Sequence, residues 1–345
     1  MFKILKPILF LFSPESAHNI VVSLLRVLSF IPPLSFFFRL FYNYKSTSLE
    51  REVIGIKFPN PVGMAAGFDK NGDIYNELSN FGFGFVEIGS LTPGEQMGNP
   101  KPRCFRLIDD KAIINRMGIN NKGVKYAVSK LKLKKPGIIV GANIIKSTSS
   151  PENKAPADYE KSFAQLYDFV DYFVVNVSCP NVKGVTKLQD ITALSEIIDR
   201  LITLRKYYDE YRPILLKVSP DLSYEQLDEI IDLILISGMD GIVATNTTTS
   251  RENLKSDKEK IDSLGEGGLS GYPLYPKSLE MVKYISKKTE GLLPIIAVGG
   301  IMSPKQADEM LKSGASLVQI YTGFIYNGPG FIRKILKYLD KQSRK

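Results

Sequence analysis

Val62-Gly-Met-Ala-Ala-Gly67 opens a series of eight short apolar runs, each closing on Gly, Ser, Thr or Asn. The others are FVEIGS (85–90), GIIVGAN (137–143), FVVNVS (173–178), ILLKVS (214–219), GIVATN (241–246), IIAVGG (295–300) and LVQIYTG (317–323). Between the runs, residues 191–208, 224–237, 276–288 and 304–313 carry helical spacing. Ser223 is placed as the N-cap of the second of these, with Gln226 completing a capping box. Strand–helix alternation of this kind implies a parallel sheet. Eight such strands are the count of an α/β chain folded as a (β/α)8 TIM barrel, whose strand carboxyl ends carry the chemistry.

Composition narrows the classes. The chain has 345 residues, a hydrophobic share of 44% and a formal charge of +9. It can bury a sizeable core. The basic balance fits a solvated surface, an anionic membrane surface or acidic ligands. No dense Lys/Arg tract with interleaved aromatics occurs, so nucleic acid is not an expected partner. Cys104 and Cys179 alone cannot form a disulfide framework, which suits a reducing compartment. The single histidine, His18, leaves no His cluster for a metal and no Ser–His–Asp triad in the barrel, so no metal site is expected.

Residues 1–45 form a helical segment apart from the barrel, which takes 46–345. Lys3, Lys6, Arg26 and Arg39 interrupt its apolar stretches, and no run reaches the ~18–20 residues of a spanning helix. Ser13 and Pro14 read as N-cap and first helical residue. Ala17, Ile20, Val21, Leu24, Leu25 and Leu28 then make one apolar stripe. Pro32-Pro33 is expected to end that helix, and residues 34–42 to form a second. A secretory signal is disfavoured by Pro7 and by the lack of a clean cleavage site. A hairpin packed on the barrel and an interfacial pair dipping into one leaflet both remain open, the second being the sharper reading.

The strand ends carry the polar groups. Small residues in Ala65-Ala-Gly-Phe-Asp-Lys70 let backbone approach a flat ligand. Asn115, Asn143, Asn176, Asn181 and Asn246 all lie at or just past strand ends, and amides that both donate and accept suit a planar heterocycle. Lys217 sits inside an apolar strand, where a buried ammonium needs a partner or an anionic ligand. Backbone N–H groups at 298–301 and 321–323 follow the seventh and eighth runs, the usual phosphate site of this fold. Two long connections, 91–136 and 180–189, are read as functional loops. Residues 251–267 are polar and are expected to form a mobile loop.

Taken together, NPVGMAAGFDKNG (60–72), VEIGSLTP (86–93), GNPKPRCFRL (98–107), INRMGINNKG (114–123), NVSCPN (176–181), LLKVSPDL (215–222), ATNTT (244–248), GGLSG (267–271), VGGI (298–301) and LVQIYTGFIY (317–326) resemble the dihydroorotate dehydrogenases. The resemblance covers nearly the whole chain. SPESAH (13–18) and the apolar amino terminus look like class 2, the quinone-using form that associates peripherally with the cytoplasmic side of the inner membrane. It implies FMN at Ala66, Gly67, Ser90, Asn143, Asn176, Lys217, Thr245, Gly271, Gly300, Tyr321 and Thr322. It implies dihydroorotate at Lys70, Asn115, Arg116, Met117, Gly118, Ile119, Asn176, Asn181, Asn246 and Thr247. It implies a path for ubiquinone or menaquinone past His18, Arg106 and Tyr321, in a monomer. Class 2 enzymes place Ser at the catalytic base, whereas this chain has Cys179, as class 1 does; Cys179 is therefore the expected base. Ile119 stands where many relatives carry Phe. The competing readings are a class 1-like soluble enzyme using fumarate, or NAD through a partner subunit, and another flavin-barrel reductase acting on dihydrouridine or dihydropyrimidine.

Overall fold

The computed structural model describes residues 2–29, 31–134, 137–178 and 191–344. All eight runs contain strands: β1 (Val62–Met64), β2 (Phe85–Leu91), β3 (Ile139–Ile144), β4 (Tyr172–Asn176), β5 (Ile214–Val218), β6 (Gly241–Ala244), β7 (Ile295–Val298) and β8 (Leu317–Ile320). They pair in parallel in chain order, and β8 returns to β1 to close the barrel. Helix Tyr224–Ser237 carries the expected, complete Ser223–Gln226 box, and Pro304–Lys312 is N-capped by Ser303.

Strand alternation explains the core. On β4 and β5, Phe173, Val175, Leu216 and Val218 face the helix layer, while Val174 and Leu215 join the barrel interior. Large inward rings need room opposite them. Phe85 fills the space that a side chain on Gly63 would take, and Tyr172 does the same at Gly141, where a Cβ would lie 2.1 Å from the ring. The hairpin of Arg51–Val53 and Ile56–Phe58 adds Phe58, whose ring packs 5.2 Å from Phe85 at the floor of the barrel.

The connection 91–136 contributes two strands, Cys104–Leu107 and Ala112–Asn115. They join Gly268–Gly271 in an antiparallel sheet that bridges the loops after β2 and β6. Residues 251–267, expected to be a mobile loop, instead contain the helix Lys258–Leu264, N-capped by Asp257. Asp110 further anchors this segment by accepting hydrogen bonds from the backbone of Lys255 and Ser256.

The amino terminus holds three helices where two were expected: α1 (Phe2–Leu11), α2 (Pro14–Ser29) and α3 (Pro32–Tyr42). Pro7 is carried inside α1. Pro32-Pro33 begins α3 as its first-turn prolines, since proline at the first helical positions forfeits no intrahelical hydrogen bond. Of the α2 stripe, Ala17 and Leu25 are buried, whereas Ile20 and Leu24 remain exposed; the side chain of Leu28 lies outside the described ones. Among the described residues no helix is long and apolar enough to cross a membrane.

Candidate functional site

The inward alternation that makes the floor apolar changes character at the carboxyl ends of the strands. Glu87, Asn143, Asn176, Lys217 and Gln319 follow Phe85, Gly141, Val174, Leu215 and Leu317 at two-residue steps, and so point into the barrel above them. All five are buried. Lys217 is thus an inward lysine, not one snorkelling outward. Glu87, fully buried, accepts from Asn143 Nδ2 at 2.8 Å and Gln319 Nε2 at 2.6 Å, and lies 3.7 Å from Lys217 Nζ. Asn176 Nδ2 donates to Asn143 Oδ1 at 3.1 Å and to Ser90 Oγ at 3.0 Å, and Ser90 Oγ donates to Asn143 Oδ1. Asn246 Nδ2 donates to Ser178 Oγ at 3.1 Å. The amides are therefore locked in orientation by one another.

Above this layer lies a cavity of about 450 Å³. Ala66, Gly67, Ser90, Asn176, Lys217, Thr245, Gly271, Gly300, Tyr321 and Thr322 line it, as do Lys70, Asn115, Met117, Gly118, Ile119, Asn246 and Thr247. His18 and Arg106 line its outer part, together with Phe10, Val21, Leu25 and Phe38 of the amino-terminal helices. Two expected residues are not on its wall. Asn143 lies behind Ser90 and Asn176. The Arg116 side chain turns away, stacking its guanidinium 4.7 Å over Phe105 and donating to the carbonyls of Leu264 and Glu266. Cys179 and Asn181 lie outside the described residues.

Polar and apolar parts of the cavity meet at an aromatic seam. His18 packs edge-on against Phe68 at 5.1 Å, and Phe68 against Tyr321 at 5.8 Å. Burial, with Lys70 adding to it, pushes the His18 pKa down to about 3, so the ring is neutral. Burial also lowers Lys70, against the opposing pull of Cys104 and Glu15. The Cys104 thiol is pushed up to about 11 by burial, which leaves it protonated. Arg106 closes α1 over the cavity by donating to Phe12 O at 2.7 Å and stacking 4.5 Å over Phe10.

The sequence reading did not single out Glu87, Gln319, Glu15 or Arg103. For Glu87 and Gln319 the signal was present: a polar residue at the inward position of an apolar strand, as for Lys217.

The site can be tested for a planar, anionic group. Lys217 Nζ faces the cavity with one carboxylate 3.7 Å away and no hydrogen bond among the described residues. A buried ammonium so placed is completed by an acceptor from a ligand. Gly67, at φ +94°, keeps only hydrogen where a Cβ would touch the Tyr321 ring at 3.4 Å, leaving an open backbone face. These features fit a flat heterocycle with acceptor atoms over Lys217.

Residues 48–342 match the family model described as dihydroorotate dehydrogenase. The chain belongs to the dihydroorotate dehydrogenase family. A relative from Christiangramia forsetii named dihydroorotate dehydrogenase (quinone) is 47% identical, covering 98% of each chain. One of the same name from Idiomarina loihiensis is 43% identical over 98% of this chain and 100% of its own. The ligand-free crystal structure of the Eimeria tenella dihydroorotate dehydrogenase superposes with a TM-score of 0.84 at 33% identity, covering 96% of this chain and 95% of that one. The crystal structure of the Eimeria enzyme with ferulenol gives a TM-score of 0.83 at 34% identity, covering 94% and 90%. Dihydroorotate dehydrogenases are in general flavin enzymes, and the buried Lys217 with the open backbone face at Gly67 fits such a group.

Proposed function

We propose that the chain oxidises dihydroorotate to orotate in pyrimidine biosynthesis, using FMN and passing the electrons to a membrane quinone. The observation that carries this reading is the single cavity running from the polar layer at the strand ends to the apolar walls of α1, α2 and α3. The names of the relatives support the substrate and the acceptor.

FMN, when bound, would supply a hydride acceptor for the substrate and an electron donor for the quinone. The chain supplies the rest. Lys217 stabilises negative charge that develops beside it, held in place by Glu87. Ser90, Asn176 and Thr245 present fixed donors and acceptors, with Asn143 bracing the first two from behind. Gly271, Gly300, Thr322 and Ala66, which line the cavity, would hold the cofactor through their backbone. Lys70 offers its ammonium to the substrate carboxylate, and Asn115, Asn246 and Thr247 fix the ring's amide edges. Cys179 removes the C5 proton as thiolate. Neutral His18, Arg106 and Tyr321 line the quinone's approach.

Residues 1–45 are proposed as the quinone and membrane segment. Leu11, Phe36, Phe37, Leu40 and Phe41 on α1 and α3 all point to solvent, a density of exposed apolar side chains that fits partial immersion in one leaflet. The monomeric chain would then sit peripherally on the cytoplasmic side of the inner membrane. The test is anaerobic addition of dihydroorotate to the flavin-loaded protein. Bleaching of the flavin with one orotate formed per flavin supports the reading. A flavin that stays oxidised rejects it.

A further inference from the structure

We propose that Glu15, on the first turn of α2, is a positioning residue that ties the amino-terminal helices to the substrate loop 115–119 through Arg103. The inference deepens the function proposed above and rests on it.

Arg103 is buried, and its guanidinium is shared between two parts of the molecule. On one edge, Nη2 donates to Glu15 Oε1 at 2.7 Å and Nε to Glu15 Oε2 at 3.2 Å. On the other, Nη1 donates to the carbonyls of Met97 at 2.7 Å and Asn99 at 2.9 Å. Asn99 passes the connection on: its backbone N–H donates to Met117 O at 3.0 Å, and its Nδ2 to Arg116 O at 2.9 Å. The N–H of Arg116 returns to Arg103 O at 2.9 Å. A two-pronged Arg–carboxylate contact fixes geometry as well as charge. The loop that lines the substrate end of the cavity is thereby held at a set distance from a helix that lines the quinone end.

Glu15 also balances charge. Lys70 is faced by Glu15 and His18 from α2, by Arg103 and Cys104 from the loop and strand beneath, and by Asp69 from its own segment. His18 is neutral and the Cys104 thiol protonated. Arg106 faces Cys104 from the same strand. Asp69 is committed to the N–H groups of Asp73 at 2.7 Å and Ile74 at 2.8 Å. Exposed Lys101 adds a further positive charge 3.6 Å from Glu15. Glu15 is therefore the carboxylate that offsets Arg103 and that acts, with Asp69, on Lys70 at the cavity wall. Without it, Arg103 is a buried cation beside Lys70, and Lys70 gives up its proton at lower pH.

The test uses the full-length, flavin-loaded protein without any electron acceptor. Orotate is titrated from about pH 6 to pH 9 and binding is read from the flavin absorbance, because one pKa unit corresponds to a tenfold change in population. For Glu15→Gln, orotate affinity on the alkaline limb is expected to fall about tenfold as that limb moves acidward. Hydrogen exchange should quicken at 97–99 and 115–119 while the barrel strands keep their protection. Glu15→Asp, which keeps the charge, should restore the alkaline limb, and Lys101→Gln should bind orotate as the wild type does. Equal affinity and an equal limb in Glu15→Gln would overturn the inference, as would weaker binding with both the limb and the exchange unchanged. Wild-type protein that holds flavin but does not bind orotate would overturn the function reading, and this inference with it.

Discussion

Lys217 is the residue that the sequence marks most clearly, because a lysine inside ILLKVS has no apolar explanation. Its partner Glu87 was equally visible in FVEIGS, but nothing in a linear chain pairs residues from β2 and β5. Only barrel closure brings them within 3.7 Å. Removing one member of such a pair leaves an uncompensated buried charge and two orphaned amide donors, from Asn143 and Gln319. Glu87→Ala should therefore lower the unfolding free energy by about 3–5 kcal/mol, read from urea denaturation. Cys179 belongs to the same scale. As the proposed base it should contribute about 10²–10⁴-fold. Cys179→Ala should slow dihydroorotate-driven flavin reduction by that factor in stopped flow while orotate still binds. Reduction at the wild-type rate would remove Cys179 from the mechanism.

At the scale of elements, the strands were legible because each apolar run closes on a glycine or a polar residue, and the helices because their caps are local. Tyr224–Ser237 has the bounds that its spacing indicated. The amino-terminal helices were less legible. Prolines both end and begin helices, and Pro32-Pro33 begins one. Residues 251–267 looked mobile from polarity alone, yet Asp257 and Asp110 organise them through side-chain-to-backbone bonds that composition does not reveal. Strand glycines had an unread meaning as well. Gly141 in β3 gives space to Tyr172, so Gly141→Ala should cost about 1–3 kcal/mol through overpacking, measured by thermal or urea unfolding. On α3, Phe37 and Phe41 are 52% and 63% exposed. Replacing both with Asp should reduce cosedimentation with anionic vesicles several-fold and leave flavin reduction by dihydroorotate intact. Vesicle binding equal to wild type would remove α3 from the membrane contact.

At the scale of the whole molecule, the amino-terminal helices and the barrel share one cavity, and a single histidine stands at their seam. His18 has a folded pKa of about 3, below its unfolded value of about 6.5. A depressed base stays neutral in the native state while the unfolded chain takes up the proton. Its contribution to stability is therefore complete above about pH 6.5 and is lost as pH falls toward 3. The stability advantage of wild type over His18→Gln should shrink between pH 7 and pH 5 in paired urea titrations. A constant difference would mean that His18 titrates normally. The resemblance in the motifs made the family and the barrel readable, since those motifs are contiguous. The Glu15–Arg103–Asn99 linkage was not, because it joins three separate segments through side chains. The most direct measurement of the central claim is flavin reoxidation. The protein is reduced anaerobically with dihydroorotate in detergent, then offered a short-chain ubiquinone or menaquinone, fumarate and NAD in separate experiments. Rapid reoxidation by quinone alone is the predicted result. Rapid reoxidation by fumarate or NAD, with quinone inert, would contradict the account and leave α1–α3 without their assigned role.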